Sequence, residues 1–110
     1  MNVETKDKWQ QVLHYFEEKF GGGLELEGIL FLIGVQELGK GFQQFSKDEK
    51  LDVMHIAICT LLEPYGYYTF VGRDEEGWPH YERNKKLPYL VGKEQETLMK
   101  DAISNYMQLQ

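Results

Sequence analysis

Tyr65-Gly66-Tyr67-Tyr68-Thr69-Phe70-Val71-Gly72-Arg73-Asp74-Glu75-Glu76-Gly77-Trp78-Pro79-His80-Tyr81 is the one stretch of this 110-residue chain that does not follow helical spacing. Aromatic and β-branched residues flank a polar run, Arg73-Asp74-Glu75-Glu76-Gly77, the pattern of two strands joined by a tight turn. It predicts an antiparallel β-hairpin with strands near residues 67–73 and 78–83. An isolated two-stranded ribbon is marginal in water, so one carrying this many aromatics must pack on other structure or bind something.

Upstream of the ribbon, Ser46-Lys47-Asp48-Glu49 is a capping box, with Ser46 as N-cap and Glu49 reaching back to it. It opens a helix to about Leu62, with Leu51, Met54, Ile58, Leu61 and Leu62 as the expected apolar face. Pro64 disfavours helical geometry at Glu63 and ends the element there. Residues 5–20 form an earlier helix, with Trp9, Val12, Leu13, Phe16 and Phe20 on one stripe and the three glycines 21–23 as its stop. Residues 24–38 begin with strand-like alternation, but their length, their Leu and Glu content and the terminating Gly39 predict a buried helix. Gly28 and Gly34 each cost such a helix about 1 kcal/mol relative to Ala, tolerable where another helix crosses closely. Downstream, residues 85–90 read as an extended connector, and residues 93–107 as a last helix with Leu98, Met99, Ala102, Ile103 and Tyr106 facing inward. The fold class is therefore α+β, mainly α: about four helices with one antiparallel β-hairpin before the last helix. The length suits a single globular domain over residues 1–110.

Composition narrows the function classes. The net charge of -6 argues against binding a phosphate backbone, which needs a basic face. The acidic run Asp74-Glu75-Glu76 would repel phosphates from the ribbon itself, so no nucleic-acid partner is expected. The longest apolar run, Ile29 to Val35, falls far short of the ~20 residues that span a bilayer, so no membrane partner is expected. A lone cysteine, Cys59, rules out an intramolecular disulfide and fits a reducing compartment. With no apolar leader at the N-terminus, the expected location is cytoplasmic.

Several motifs approach chemistry and stop short. Gly34-Val35-Gln36-Glu37-Leu38-Gly39-Lys40-Gly41 matches seven positions of a phosphate-binding P-loop, but Gly41 stands where a Ser or Thr should hold Mg²⁺. The same residues read equally as a helix C-terminus capped by Gly39. Asp52, His55 and Cys59 lie at i, i+3 and i+7 on one helix and could present metal ligands along one flank. No second cluster supplies the remaining ligands, and a core-edge histidine beside a small buried thiol explains the set as well. Cys59 as a nucleophile, with His55 as base, is opposed by its apolar neighbours Ile56, Ile58, Leu61 and Leu62. A tip of consecutive charges such as Asp74-Glu75-Glu76 is ordinarily solvated. No cofactor motif is complete, and no catalytic constellation is complete either.

The aromatic ribbon is left as the place where function could reside. Its aromatics cannot all sit on one face, because successive strand side chains alternate. One set can cover the helices; the other is exposed, unless residues 87–90 fold over it as a lid. Tyr67, Phe70, Arg73, Trp78, His80 and Tyr81 are therefore the candidate binding residues. The leading expectation is a non-enzymatic protein-interaction module, its partner another protein or a second copy of itself in a homodimer. The alternative is a small-ligand-binding or catalytic domain, with a pocket between the hairpin and the third helix lined by His55, Tyr67, Trp78 and His80. His55 and His80 on opposite sides of the molecule would end that alternative.

Overall fold

The computed structural model describes residues 3–41, 43–84 and 92–108. Four helices and one hairpin follow in the order α1 (Val3–Phe20), α2 (Leu26–Leu38), α3 (Lys47–Leu62), a single 3-10 turn (Glu63–Tyr65), β1 (Tyr68–Arg73), β2 (Pro79–Arg83) and α4 (Lys93–Gln108). The protein is α+β and mainly α, with a two-stranded antiparallel hairpin before the last helix. The ambiguous segment 24–38 is helical from Leu26 onward, as its length and its Gly39 stop predict. Gly39 takes φ 77°, the left-handed conformation that suits glycine, and its N–H bonds back to the carbonyl of Val35. The capping box is formed in both directions: Glu49 N–H donates to Ser46 Oγ at 3.1 Å, and Ser46 N–H donates to Glu49 Oε1 at 2.9 Å. The connector 85–90, with the lid expected at residues 87–90, lies outside the described residues.

The chain forms two compact units. The first comprises residues 1–24 and 88–110, in which α1 packs on α4, a pairing of chain ends that sequence order does not suggest. Trp9, Val12 and Phe16 on α1 and Met99, Ala102 and Ile103 on α4 are buried. Lys100 Nζ lies 5.4 Å from the centre of the Trp9 ring, so its stem covers apolar surface while its charge also meets Glu96 at 2.9 Å. Phe20, expected on the inner stripe, is 46% exposed at the last position of α1.

The second unit, residues 25–87, holds α2, α3 and the hairpin. α2 and α3 approach closely at Gly34 of α2, where an added Cβ would overlap the Val53 carbonyl oxygen and stand 2.7 Å from Val53 Cγ1. That contact explains both the glycine and a departure from expectation on α3. Val53, Ile56, Ala57, Cys59, Leu61 and Leu62 are the buried residues of α3, while Leu51 is 62% exposed. The face with the small residues Val53 and Ala57, not the one with Leu51 and Met54, lets the helix axes approach closely. Val35, Leu38, Phe45, Val53 and Ile56 form one apolar cluster, joined by the half-buried Phe31 and Trp78.

Candidate functional site

The hairpin is built around Asp74. Its backbone N–H donates to the Trp78 carbonyl at 3.0 Å, and its own carbonyl accepts from Gly77 N–H at 2.9 Å. Its side-chain Oδ1 accepts from the N–H groups of Glu76 and Trp78, both at 3.0 Å. Gly77 closes the turn at φ +89°, a conformation few other residues adopt without strain. The second carboxylate oxygen, Oδ2, lies 2.9 Å from His80 Nε2. That hydrogen bond first, and the Trp78 N–H second, hold the Asp74 carboxyl below its ordinary range. The tip carboxylate is thus an organiser of the turn, not a freely solvated charge.

Arg73 ties this turn to α2. One guanidinium nitrogen donates to the carbonyls of Leu38 at 3.0 Å and Gly77 at 2.8 Å; the other donates to Glu37 O at 2.8 Å. The last carbonyls of a helix lack intrahelical partners and carry partial negative charge, so a guanidinium fork suits them. The same helix end disposes of the P-loop resemblance. Residues 34–38 present carbonyls where a phosphate would need N–H groups.

The strand pairing sets Phe70 opposite Tyr81, with ring centres 5.6 Å apart, and one residue, Val71, bulges out of register between Phe70 and Gly72. Tyr81 reaches α3: its hydroxyl lies 2.7 Å from Thr60 Oγ1, which donates its own proton to the Ile56 carbonyl at 2.8 Å, so Tyr81 is the donor in that pair. Burial pushes the Tyr81 phenol pKa up. Tyr68 meets the edge of His55 with ring centres 6.1 Å apart. Trp78 turns toward the core, edge-on to Phe45 at 6.5 Å, with Lys40 Nζ 5.8 Å from its ring centre. Phe70 remains 45% exposed and Val71 53%.

Between the hairpin tip and the first half of α3 lies an open cleft of about 430 Å³. Glu49, Asp52, His55 and Ile56 line it from α3, and Asp74, Glu76, Trp78, Pro79 and His80 line it from the hairpin. Glu49, Asp52 and His55 recur at i, i+3 and i+6, which puts them along one side of the helix. The two histidines that sequence separates by 25 positions therefore share one concavity with Trp78. Tyr67 does not line it; half-buried before β1, it donates its N–H to Leu62 O at 3.3 Å and accepts from Asn84 N–H at 2.8 Å. Of the remaining candidates, Arg73 clamps α2, Tyr81 packs on α3, and Phe70 faces solvent.

The chemistry open to this cleft is limited. Cys59 is fully buried, its sulfur 3.4 Å from His55 Nε2, and burial pushes its thiol up to about 11. A thiol so far from ionisation at neutral pH is no nucleophile. Among the described residues the lining has no side-chain hydroxyl, thiol or amine. Among the described residues no three His, Cys, Asp or Glu side chains come together as a metal site, so the flank Asp52, His55 and Cys59 does not assemble one. Among them, too, no helix is long and apolar enough to cross a membrane. Asp74 and Glu76 are the lining residues that charge-run logic misses. The signal was present in Asp74 and Gly77 at turn spacing, which fixes the carboxylate in the backbone and holds it beside His80. No family model matches the sequence, and no curated protein or solved structure matches it either.

Proposed function

We propose that the protein is a non-enzymatic binding module that takes a cationic group in the cleft between the hairpin tip and α3. One observation carries this: Glu49, Asp52, Asp74 and Glu76 line the cleft and, among the described residues, no Lys or Arg does. A concavity with convergent charges of one sign and low-dielectric walls concentrates field and attracts the opposite charge. Trp78 and Pro79 supply apolar wall against which the stem of an organic cation can lie. Asp74, which already holds two backbone N–H groups and His80, serves the turn, so the cleft reads as a binding surface. Titration of the full chain with spermidine, followed by amide and Trp78 indole NMR shifts, tests it. Saturable shifts confined to Asp52, His55, Glu76, Trp78 and their neighbours are expected. The double variant Asp52→Asn, Glu76→Gln, both exposed positions, should weaken binding at least about fivefold with its melting temperature retained. Shifts spread evenly over every acidic surface would sink the proposal.

A second reading, a protein-interaction module acting through the hairpin, is favoured by a different observation. Phe70 and Val71 are adjacent, apolar and about half exposed on β1. Replacing both with Ser should abolish association if this surface mediates it, and should leave spermidine binding unchanged.

A further inference from the structure

The two outer edges of the hairpin differ. Asn84 N–H bonds to Tyr67 O, and the register continues as Tyr68 with Arg83, Thr69 with Glu82 and Phe70 with Tyr81. Antiparallel pairs alternate between those that exchange hydrogen bonds and those that do not. Phe70 and Tyr81 are accordingly a non-bonded pair, with their N–H and C=O groups on the outer edges. The Phe70 N–H confirms this phase by donating outward, to Glu63 Oε2 at 2.8 Å. The β1 edge is thereby occupied at Phe70 and distorted by the bulge at Val71. On the β2 edge, the backbone groups of Tyr81 and Arg83 have no hydrogen-bond partner among the described residues.

Resting on the second reading above, that the hairpin is an interaction surface, we infer that the β2 edge pairs antiparallel with β2 of a second copy of this chain, Tyr81 opposite Tyr81. Identical antiparallel strands pair about a two-fold axis, so the permitted registers are few. Tyr81 against Tyr81 exchanges two backbone hydrogen bonds and sets His80 of each copy opposite Glu82 of the other. The next register, Tyr81 against Arg83, sets Glu82 directly against Glu82, a like-charge pair that destabilises a sheet. Pro79 has no N–H to give, which by the two-fold limits the ladder at both ends and makes the pairing short. His80 and Glu82 lie on the face opposite Tyr81, and both are exposed. Of these two registers, only Tyr81 against Tyr81 keeps Glu82 from facing its own copy.

The experiment uses two full-length variants, His80→Cys and Glu82→Cys, each checked for native circular dichroism. Cys59 stays in place, since it is buried and its thiol is pushed up to about 11. Each variant alone, and an equimolar mixture, is oxidised with glutathione disulfide, which leaves as two thiols, at about 0.5 mM protein, where weak pairing is populated. Positions 80 and 82 of opposite copies are a non-bonded pair in the inferred register, with side chains close enough for a disulfide. The mixed disulfide should form about tenfold faster than either homodimer, and sedimentation equilibrium of the wild type should show a dimer over the same concentrations. Faster cross-linking of Glu82→Cys alone would overturn the register while leaving the hairpin an interaction surface. A monomer at every concentration, with no preference in the mixture, would overturn the inference and the self-association it rests on.

Discussion

Asp74 shows how one side chain decides more than its sequence neighbourhood suggests. Flanked by Arg73, Glu75 and Glu76, it reads as part of a solvated charge run, yet its carboxylate holds two backbone N–H groups and His80 at once. Its pKa is lowered in the folded protein from the ordinary 3.8, chiefly by the His80 hydrogen bond. The unfolded chain then binds this proton more readily, so the stabilisation from Asp74 is fully present above pH 3.8 and is lost as pH falls through the lower folded value. Asp74→Asn removes that titration. Thermal melts should show a smaller loss of stability between pH 5 and pH 2 for the variant than for the wild type. Equal losses would mean that the carboxylate is not held as described. Cys59 carries the opposite lesson. Its apolar neighbours announce an inert thiol, and burial at 0% exposure accounts for its raised pKa.

At the scale of elements, the α2–α3 crossing turns on Gly34. Ala is the better helix former by about 1 kcal/mol, so propensity alone favours Gly34→Ala. The added methyl would meet the Val53 carbonyl and Cγ1, and neither backbone nor a β-branched side chain yields easily. Net destabilisation of roughly 1–3 kcal/mol is expected from such overpacking, measurable as a lower urea midpoint with unchanged slope. The second element-scale prediction concerns Arg73. A lysine keeps the charge but cannot donate at once to Glu37, Leu38 and Gly77, so Arg73→Lys should lose most of what Arg73→Ala loses. The loss is set at about 1 kcal/mol, because the side chain is exposed and solvent screens its charge. Amide exchange should quicken at Gly77 and in the last turn of α2; protection equal to that of the wild type would remove the clamp from the account. Helices and hairpin were legible in the sequence because each rests on local signals: the capping box at Ser46, the Gly39 stop, and the turn residues Asp74 and Gly77. The buried face of α3 was not, because side-chain size pointed to Leu51 while the close approach at Gly34 selected Val53 and Ala57.

For the whole molecule, the net charge of -6 and the lining of the cleft act in the same sense. Attraction of a cation to exposed carboxylates is screened within about 8 Å at physiological salt. Spermidine affinity should therefore fall several-fold between about 0.05 and 0.5 M NaCl. An affinity insensitive to salt would place the ligand on apolar surface instead. The sequence by itself determined the element order, the fold class and the acidic net charge, because spacing, caps and composition are properties of neighbouring residues and of sums. It also marked His55, Trp78 and His80 as residues that could converge. Only the tertiary structure decided that they do, that Tyr67 stays out, and that Glu49, Asp52, Asp74 and Glu76 join them. The reason is geometric. Which residues face one another across a cleft depends on how α3 and the hairpin are rotated about their own axes. That rotation is fixed by contacts distant in sequence, Gly34 against Val53, Thr60 with Tyr81 and Arg73 on the end of α2.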